Sequence, residues 1–259
     1  MQFSTMPRRR VYLMRHGEVS YFAGDAPSLR ARDAELNEAG RAQATAASAL
    51  LAEVPIDRVV TSSLPRTVET ARLALGNRPL EIQQHPELIE IMPGHLSDIP
   101  ADQIVDTVTK AFSHGISPEA KFLAGETFGS LVERVLGCWQ RIVADPSWQK
   151  LLLVAHGGVN RVLLTHAFGS GLAGFGSLEQ DPGCINILDV EPDGRLLVRL
   201  INFTPYNALK SGLELTTMER LFIEFSESIR KPLASSVWPT TGRMQGRTTK
   251  RIGEKSTEE

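Results

Sequence analysis

The stretch VYLMRHGE at residues 11–18 joins a short apolar run to two basic side chains and a glycine. The apolar residues are typical of a buried strand, and Gly17 ends the run. Arg15 and His16 then lie at the carboxyl end of that strand, where open α/β sheets bind ligands. An imidazole can attack phosphorus and a guanidinium can hold two phosphate oxygens, so the pair indicates phosphoryl chemistry. The alternative interpretation is a strand end with two solvated polar residues.

Two other predicted strands also end near basic or imidazole side chains. The run at 57–61 precedes Pro65, which suits a first helical turn, and Arg66, near the start of the same helix, where free N–H groups favour an anion. The apolar run at 151–155 precedes His156 and two glycines that let the backbone approach a ligand. Because parallel strands end at one edge of a sheet, we expect these side chains to converge on one crevice.

In their order and spacing these motifs resemble those of the histidine phosphatase superfamily, in its phosphoglycerate mutase-like branch. The resemblance runs from about residue 11 to residue 203. The matching segments are RHGE at 15–18, LNEAGRAQA at 36–44, SxxRxxxTA at 63–71, LIE at 88–90 with Gly94, GET at 125–127 with RV at 134–135, and AHGG at 155–158. The resemblance implies a three-layer α/β/α fold with a mostly parallel central sheet, and the alternation of strands and helices favours the same layers.

The resemblance also implies roles for particular residues. The catalytic set would be His16, Glu90 and His156, and the phosphate-binding set would be Arg15, Arg66, His156 and Gly17. His16 would form a phosphohistidine, and Glu90 would protonate the leaving oxygen and then accept a proton from the attacking water. Positioning and charge stabilisation around the phosphoryl oxygens are the main demands of this chemistry. No metal or other cofactor is implied.

Two departures from the family pattern bear on the substrate. Ser97 and Asp98 stand where most members have an acidic residue and a glycine, and Tyr21 and Phe22 stand where many have Trp-Asn. A polar loop at 23–32 replaces the Phe-Thr-Gly-Trp segment of the bisphosphoglycerate-dependent mutases, which hold a second phosphate. We therefore expect a metal-independent phosphomonoesterase acting on a small phosphorylated metabolite. A bisphosphoglycerate-dependent mutase and a catalytically silent member that binds a phosphorylated ligand or protein stay open as alternatives.

The composition fits one large α/β domain in a reducing compartment. A chain of 259 residues is long enough for a sizeable core, and its net charge of −2 gives no general attraction to nucleic acid or anionic membrane. Two cysteines make no disulfide framework, and no apolar run approaches membrane-spanning length, so a cytoplasmic location is expected. The expected partner is a small phosphorylated substrate rather than nucleic acid or membrane, and a homodimer stays open.

The chain divides into a main domain and a polar tail. The predicted parts are a histidine phosphatase domain at 1–239, with a lid-like insertion at about 92–124 and an extra C-terminal helix at about 216–231, and a disordered tail at 240–259. A capping box formed by Thr216 and Glu219 begins the extra helix, and Pro232 is expected just beyond its end. We expect this helix to pack on the body; covering the pocket and dimerisation are the alternatives.

Overall fold

A single mixed sheet with helices on both faces forms the centre of the protein. The computed structural model describes residues 8–22, 31–113 and 115–235, with side chains described as far as residue 229; the expected tail at 240–259 lies outside these ranges. The strands are β1 (Arg9–Arg15), β2 (Arg58–Thr61), β3 (Ile82–Gln84), β4 (Lys150–Ala155), β5 (Ile185–Val190) and β6 (Leu196–Phe203). The helices are α1 (Glu38–Leu51), α2 (Pro65–Leu75), α3 (Ile104–Thr109), α4 (Phe128–Ala144), α5 (Gly157–Phe168) and α6 (Thr217–Ser235).

The strand order in the sheet is β3-β2-β4-β1-β5-β6. Strands β1 to β4 are parallel, and β5 is antiparallel to both of its neighbours. The prediction of a mostly parallel sheet is therefore confirmed. The sequence pattern of β5 suggests an edge strand, but β5 lies between β1 and β6, and most of its residues are buried. The short edge strand β3 has no apolar alternation, and the sequence analysis does not predict it.

Both faces of the sheet carry hydrophobic core, as the alternation along β4 shows. Leu151 and Leu153 pack on one side with residues of α4 and α5. Leu152 and Val154 pack on the other side with residues of α1 and α2. A strand that is buried on both faces has no polar alternation, which explains its continuous apolar run. The three-layer arrangement expected from the sequence is confirmed.

The central strands end at the same level, and this register builds the site. Arg15 at the end of β1 is paired with Ala155 at the end of β4, and Thr61 at the end of β2 is paired with Val154. The backbone N–H of His16 extends the pairing by donating to the carbonyl of Ala155 at 3.0 Å. The residues that directly follow β1, β2 and β4 are therefore brought together at one edge of the sheet.

Helix α6 begins as predicted but ends later. The N–H of Thr216 donates to Glu219 Oε2 at 2.7 Å and the N–H of Glu219 donates to Thr216 Oγ1 at 3.2 Å, which confirms the capping box. The helix continues to Ser235, through the proline expected to follow it. A proline this close to a helix end removes one hydrogen bond and leaves little helix beyond it. No helix among the described residues is both long and apolar enough to cross a membrane.

Helix α6 packs against the body of the protein, with its start anchored in the main core. Met218 is buried there, and Leu221 and Phe222 pack against the same cluster. The helix also packs on α3, which lies within the predicted insertion at 92–124. Packing on the body is thus confirmed, and the insertion and α6 stand side by side at the sheet edge that carries the site.

Candidate active site

A cavity of about 560 Å³ opens at the carboxyl edge of the central strands. Four of the predicted site residues line it: Arg15, His16, Arg66 and Glu90. His156 is fully buried beside them, with its ring centroid 5.1 Å from that of His16 in an edge-on arrangement. Side chains that are far apart in sequence therefore meet at one place, because the strand ends that carry them are aligned.

The hydrogen bonding of His16 defines which ring nitrogen carries the proton. Its Nδ1 lies 2.7 Å from the carbonyl oxygen of Gly17. A carbonyl can only accept, so Nδ1 must be the donor, and Nε2 of the neutral ring then holds the lone pair. Nε2 is buried and has no hydrogen-bond partner among the described residues. The ring is thus held in the tautomer in which its cavity-side nitrogen is a nucleophile.

The ring of His156 is fixed by a side chain of the β2 strand end. Its Nε2 shares a 2.8 Å hydrogen bond with the hydroxyl of Ser62, which is itself 2.9 Å from the hydroxyl of Thr67 in α2. The other ring nitrogen, Nδ1, is buried without a partner among the described residues. This second imidazole is therefore oriented by the protein through one nitrogen and keeps the other free for a ligand.

Two guanidinium groups complete the buried base of the cavity. Arg15 and Arg66 are 4% and 1% exposed. Arg15 donates through Nη1 to the carbonyl of Gln180 at 2.5 Å, but its Nε has no partner within the described part of the chain, and neither have Nε and Nη1 of Arg66. A buried donor without a partner costs about 1–3 kcal/mol. Several such donors around one cavity match the oxygens of an anion such as phosphate.

Glu90 reaches the same cavity from the segment that follows β3. Its carboxylate accepts from the N–H of Gly158 at 3.1 and 3.2 Å and from the N–H of Ile91 at 2.9 Å. Gly158 is in the first turn of α5, whose free N–H groups favour a carboxylate. A Cβ on Gly158 would lie 2.5 Å from Glu90 Oε1, so glycine is required for this approach.

The Arg134–Glu126 ion pair holds the Glu90 segment in place. Arg134 donates to the carbonyls of Ile89 at 2.7 Å and Glu90 at 3.2 Å. It also binds both oxygens of Glu126, at 2.7 and 2.9 Å, and Glu126 accepts from the N–H of Met92 at 3.0 Å. Burial alone would raise the pKa of Glu126, but its hydrogen bonds and the Arg134 charge hold the pKa below its usual value. The GET…RV motif thus fixes the loop that carries the acid.

Gly17 lies beside the cavity rather than in its lining, and its N–H donates to the hydroxyl of Thr70 at 3.1 Å. A phosphate contact of this glycine stays a prediction. A Cβ at this position would lie 2.3 Å from the carbonyl oxygen of Gly40 at the start of α1. The glycine is required by this close approach of two backbones.

Arg161 is a cavity residue that the sequence analysis did not identify. It is 2% exposed, its Nε donates to the carbonyl of Leu178 at 2.6 Å, and its Nη2 lies 3.2 Å from Glu179 Oε2. Its Nη1 is unpartnered within the described residues. Its spacing of four from Gly157 places it on the cavity face of α5, a signal that could have identified it. Ser62 could also have been identified, because it is the polar residue that directly follows β2.

One possible metal-ligand group exists among the described residues, away from the cavity. The ligand atoms of His85, Glu87 and Cys138 lie within 4.8 Å of one another. However, Glu87 is bound by Arg141, and burial raises the pKa of the Cys138 thiol to about 11, so this thiol stays protonated. A cation would have to displace Arg141 and deprotonate the thiol, and these donors are therefore a poor metal site.

The two cavity histidines are held in the neutral form. Burial lowers the pKa of His16 well below its ordinary 6.5, and the charges of Arg66 and Arg15 lower it further. Burial also lowers the pKa of His156, together with Arg66, the neighbouring His16 and Arg15. Burial disfavours a charged imidazole, and nearby guanidinium groups disfavour it again.

Acidification should therefore destabilise the protein below pH 6.5. The unfolded chain protonates His16 and His156 near pH 6.5, whereas the folded chain does not, so the unfolded state binds more protons there. We expect the free energy of unfolding, measured with urea in phosphate-free buffer, to fall by about 2–3 kcal/mol from pH 7 to pH 5.5 for two fully shifted histidines. Carboxyl groups with lowered pKa values lose their stabilisation only at lower pH.

The control for this measurement is His85→Gln. His85 is half-buried and also has a lowered pKa, but it lies outside the cavity. The free energy of unfolding of this variant should still fall between pH 7 and pH 5.5 by most of the amount seen for the wild type. A free energy of unfolding that is equal at the two pH values, or greater at pH 5.5, would contradict the assignment of two neutral buried histidines.

Comparison with known proteins places this chain in a family. A family model for the histidine phosphatase superfamily (branch 1) matches residues 11–202. The adenosylcobalamin/alpha-ribazole phosphatase of Salmonella typhimurium (strain LT2) is 31% identical over 193 residues, covering 70% of this chain and 90% of that protein. Phosphoglycerate mutase-like protein 4 of Arabidopsis thaliana is 33% identical over 165 residues, covering 61% of this chain and 70% of that protein.

The structural comparison agrees with the sequence comparison. The alpha-ribazole phosphatase from Shigella flexneri matches with a TM-score of 0.61 and 27% identity, over 74% of this chain and 96% of that one. The phosphoglycerate mutase-like fold and the phosphatase class predicted from the sequence are both confirmed. The chain belongs to the histidine phosphatase superfamily, branch 1.

Proposed function

We propose that this protein is a metal-independent phosphomonoesterase that acts on a small phosphorylated metabolite through a phosphohistidine at His16. The observation that carries the proposal is the unpartnered, lone-pair-bearing Nε2 of His16, buried beside unpartnered donors of Arg15 and Arg66. A nucleophile for phosphorus and cations for its oxygens are thereby present in one cavity. The names of the curated relatives, which include phosphatases, support the same reaction class.

In the first step, Nε2 of His16 attacks the phosphorus of the bound ester. The bond from phosphorus to the ester oxygen breaks, and this oxygen takes the proton of the Glu90 carboxyl as the alcohol leaves. Charge on the three equatorial oxygens is stabilised by Arg15, Arg66 and His156. The hydrogen bond from Nδ1 to Gly17 supports the positive charge that forms on the His16 ring.

In the second step, water replaces the histidine on phosphorus. The Glu90 carboxylate accepts a proton from a water molecule whose oxygen attacks the phosphohistidine. The phosphorus–nitrogen bond breaks, its electron pair returns to Nε2, and inorganic phosphate leaves. Glu90 is then protonated again and His16 is neutral, so the enzyme is ready for another ester.

The direct test is hydrolysis of 4-nitrophenyl phosphate by EDTA-treated protein. We expect phosphate release with unchanged kcat in EDTA, because cationic side chains supply the charge that a metal would otherwise supply. Loss of activity in EDTA with recovery on adding a divalent cation would contradict metal independence. Conversion of 3-phosphoglycerate to 2-phosphoglycerate with bisphosphoglycerate, without net hydrolysis, would identify a mutase. Phosphate binding without turnover would identify a silent member.

Glu90→Gln tests the acid role through its dependence on the leaving group. For an alkyl phosphate, whose alkoxide needs a proton, we expect kcat/KM to fall by about 100-fold. For 4-nitrophenyl phosphate, whose phenolate leaves unprotonated, the fall in kcat/KM should be less than about 10-fold. Glu87→Gln is the matched control, since Glu87 is three residues away and its carboxylate binds Arg141 outside the cavity. Equal losses on both esters would remove Glu90 as the acid.

A further inference from the structure

Helix α6 forms one wall of the cavity, and its first residue, Thr217, accepts a hydrogen bond from Arg15 Nη1 at 3.3 Å. Met218, Leu221, Glu224 and Ser228 lie on one face of the helix and line the cavity. The family match ends at residue 202, before this helix begins. The chemistry of this wall therefore belongs to this chain, and the substrates of the relatives do not predict what it selects.

Within the described part of the chain, no basic side chain forms an ion pair with the carboxylates that line this part of the cavity. Glu224 is half-buried and accepts from the N–H of Phe22 at 3.0 Å, and Glu227 and Glu18 line the same cavity. Arg220, the cation that α6 contributes to the lining, is 3.2 Å from Asp181 Oδ1 and forms an ion pair with it. Burial raises the pKa of Glu224, and the charges of Glu18 and Glu227 raise it further, as expected for crowded negative groups.

The cavity lining therefore carries positive charge at Arg15 and Arg66 and negative charge at Glu224 and Glu227. The unpartnered buried donors of Arg15 and Arg66 would be satisfied by the phosphoryl group. Once that dianion neutralises Arg15 and Arg66, the rest of the substrate faces the carboxylates of Glu224 and Glu227. A second anionic group would be repelled there, whereas a cation would be attracted.

Aromatic side chains of the same cavity suit a cation as well. Tyr21, Phe22, Phe112 and Phe122 line it, and the face of an aromatic ring attracts a positive charge. Arg161 already lies over the Phe112 ring at 4.8 Å, and Arg66 lies over the Tyr21 ring at 5.9 Å. Phe22, whose N–H donates to Glu224, is therefore the ring best placed for a substrate cation. Such rings also bury the apolar groups around a substituted ammonium centre. Carboxylates and aromatic rings together are a chemistry suited to an alkylammonium group.

We propose that the substrate is the phosphomonoester of a cationic alcohol, whose ammonium group binds against Glu224 and Glu227 of α6. This proposal rests on the proposed phosphomonoesterase function. A cavity of this kind is unsuited to a mutase, because the substrate and cofactor of a mutase would place a carboxylate or a second phosphate against Glu224 and Glu227, where like charges repel.

The test compares two esters that differ only in charge. Phosphocholine carries a quaternary nitrogen, and 3,3-dimethylbutyl phosphate has the same shape with carbon in its place. We expect kcat/KM to be about tenfold higher for phosphocholine, because two partly exposed ion pairs contribute on this scale. The anionic ester 3-phosphoglycerate should be poorer than either.

The double variant Glu224→Gln/Glu227→Gln should bring the ratio of the two esters close to one, with kcat/KM for 4-nitrophenyl phosphate changed less than about threefold. Glu214→Gln, an exposed residue before α6 that does not line the cavity, is the matched control and should keep the wild-type ratio. Equal rates for the two esters in the wild type, or an unchanged ratio in the double variant, would overturn the inference. Failure to hydrolyse 4-nitrophenyl phosphate would instead overturn the proposed function.

Discussion

Replacing His16 by alanine should lower kcat/KM for every phosphomonoester by on the order of 10⁴-fold or more. The variant keeps the cationic base of the cavity and so can bind the ester, but it has no atom that can form the covalent intermediate. The imidazole of His16 is buried, and its removal leaves a small cavity that can lower stability. The thermal unfolding of the variant should therefore be recorded together with its activity.

The covalent intermediate can be observed directly. Wild-type protein mixed with ³²P-labelled ester and quenched in alkali should retain label that acid releases, as expected for a phosphorus–nitrogen bond. His16→Ala should retain none. His166→Ala is the matched control, because His166 is an exposed histidine on α5, and it should label like the wild type. Label that persists in His16→Ala would show that another residue is the nucleophile.

Replacing Arg66 by methionine should lower kcat/KM by about 10³-fold, since a preorganised donor to the transition state is lost. The free energy of unfolding should not fall, and we expect it to rise. Arg66 is fully buried with Nε and Nη1 unpartnered, so its charge destabilises the folded state in the absence of an anion. It also lowers the pKa of both cavity histidines. Methionine keeps the length and removes the charge.

Arg134→Met is the contrasting variant for this experiment. Its guanidinium is fully engaged with Glu126 and with backbone carbonyls around Glu90. Removing it should lower the free energy of unfolding by about 3 kcal/mol, because a largely buried partner is left unpaired. If Arg66→Met lowered the free energy of unfolding as much as Arg134→Met, Arg66 would be a structural residue. That result would contradict the claim that the buried charge of Arg66 destabilises the protein in the absence of an anion.

The strands that carry the site were predictable because each has a strong local signal. The runs before Arg15 and His156 are apolar without interruption, and only a strand buried on both faces needs such a run. Pro65 marked the first residue of α2. Strand β3 has no such signal, since it is three residues long and largely exposed, and it was missed.

The place of Glu90 at the cavity was predictable, but not what holds it there. Glu90 followed from its spacing to Gly94, whereas the ion pair of Glu126 with Arg134 was not predicted, although both residues belong to the matching motifs. Arg134 donates a hydrogen bond to the backbone carbonyl of Glu90, which is 44 residues away in the sequence. This contact depends on how α4 packs against the loop after β3. Contacts over such separations leave no periodic pattern in the sequence.

The sequence by itself determined the central strands of the sheet, the helices on its two faces and the identity of the groups at the strand ends, because those follow from hydrophobic periodicity and short motifs. Only the tertiary structure decided that His16 presents Nε2, that Ser62 orients His156 and that α6 turns Glu224 toward the cavity. These depend on hydrogen-bond geometry and helix packing between distant segments, and both are settled only when the chain is folded.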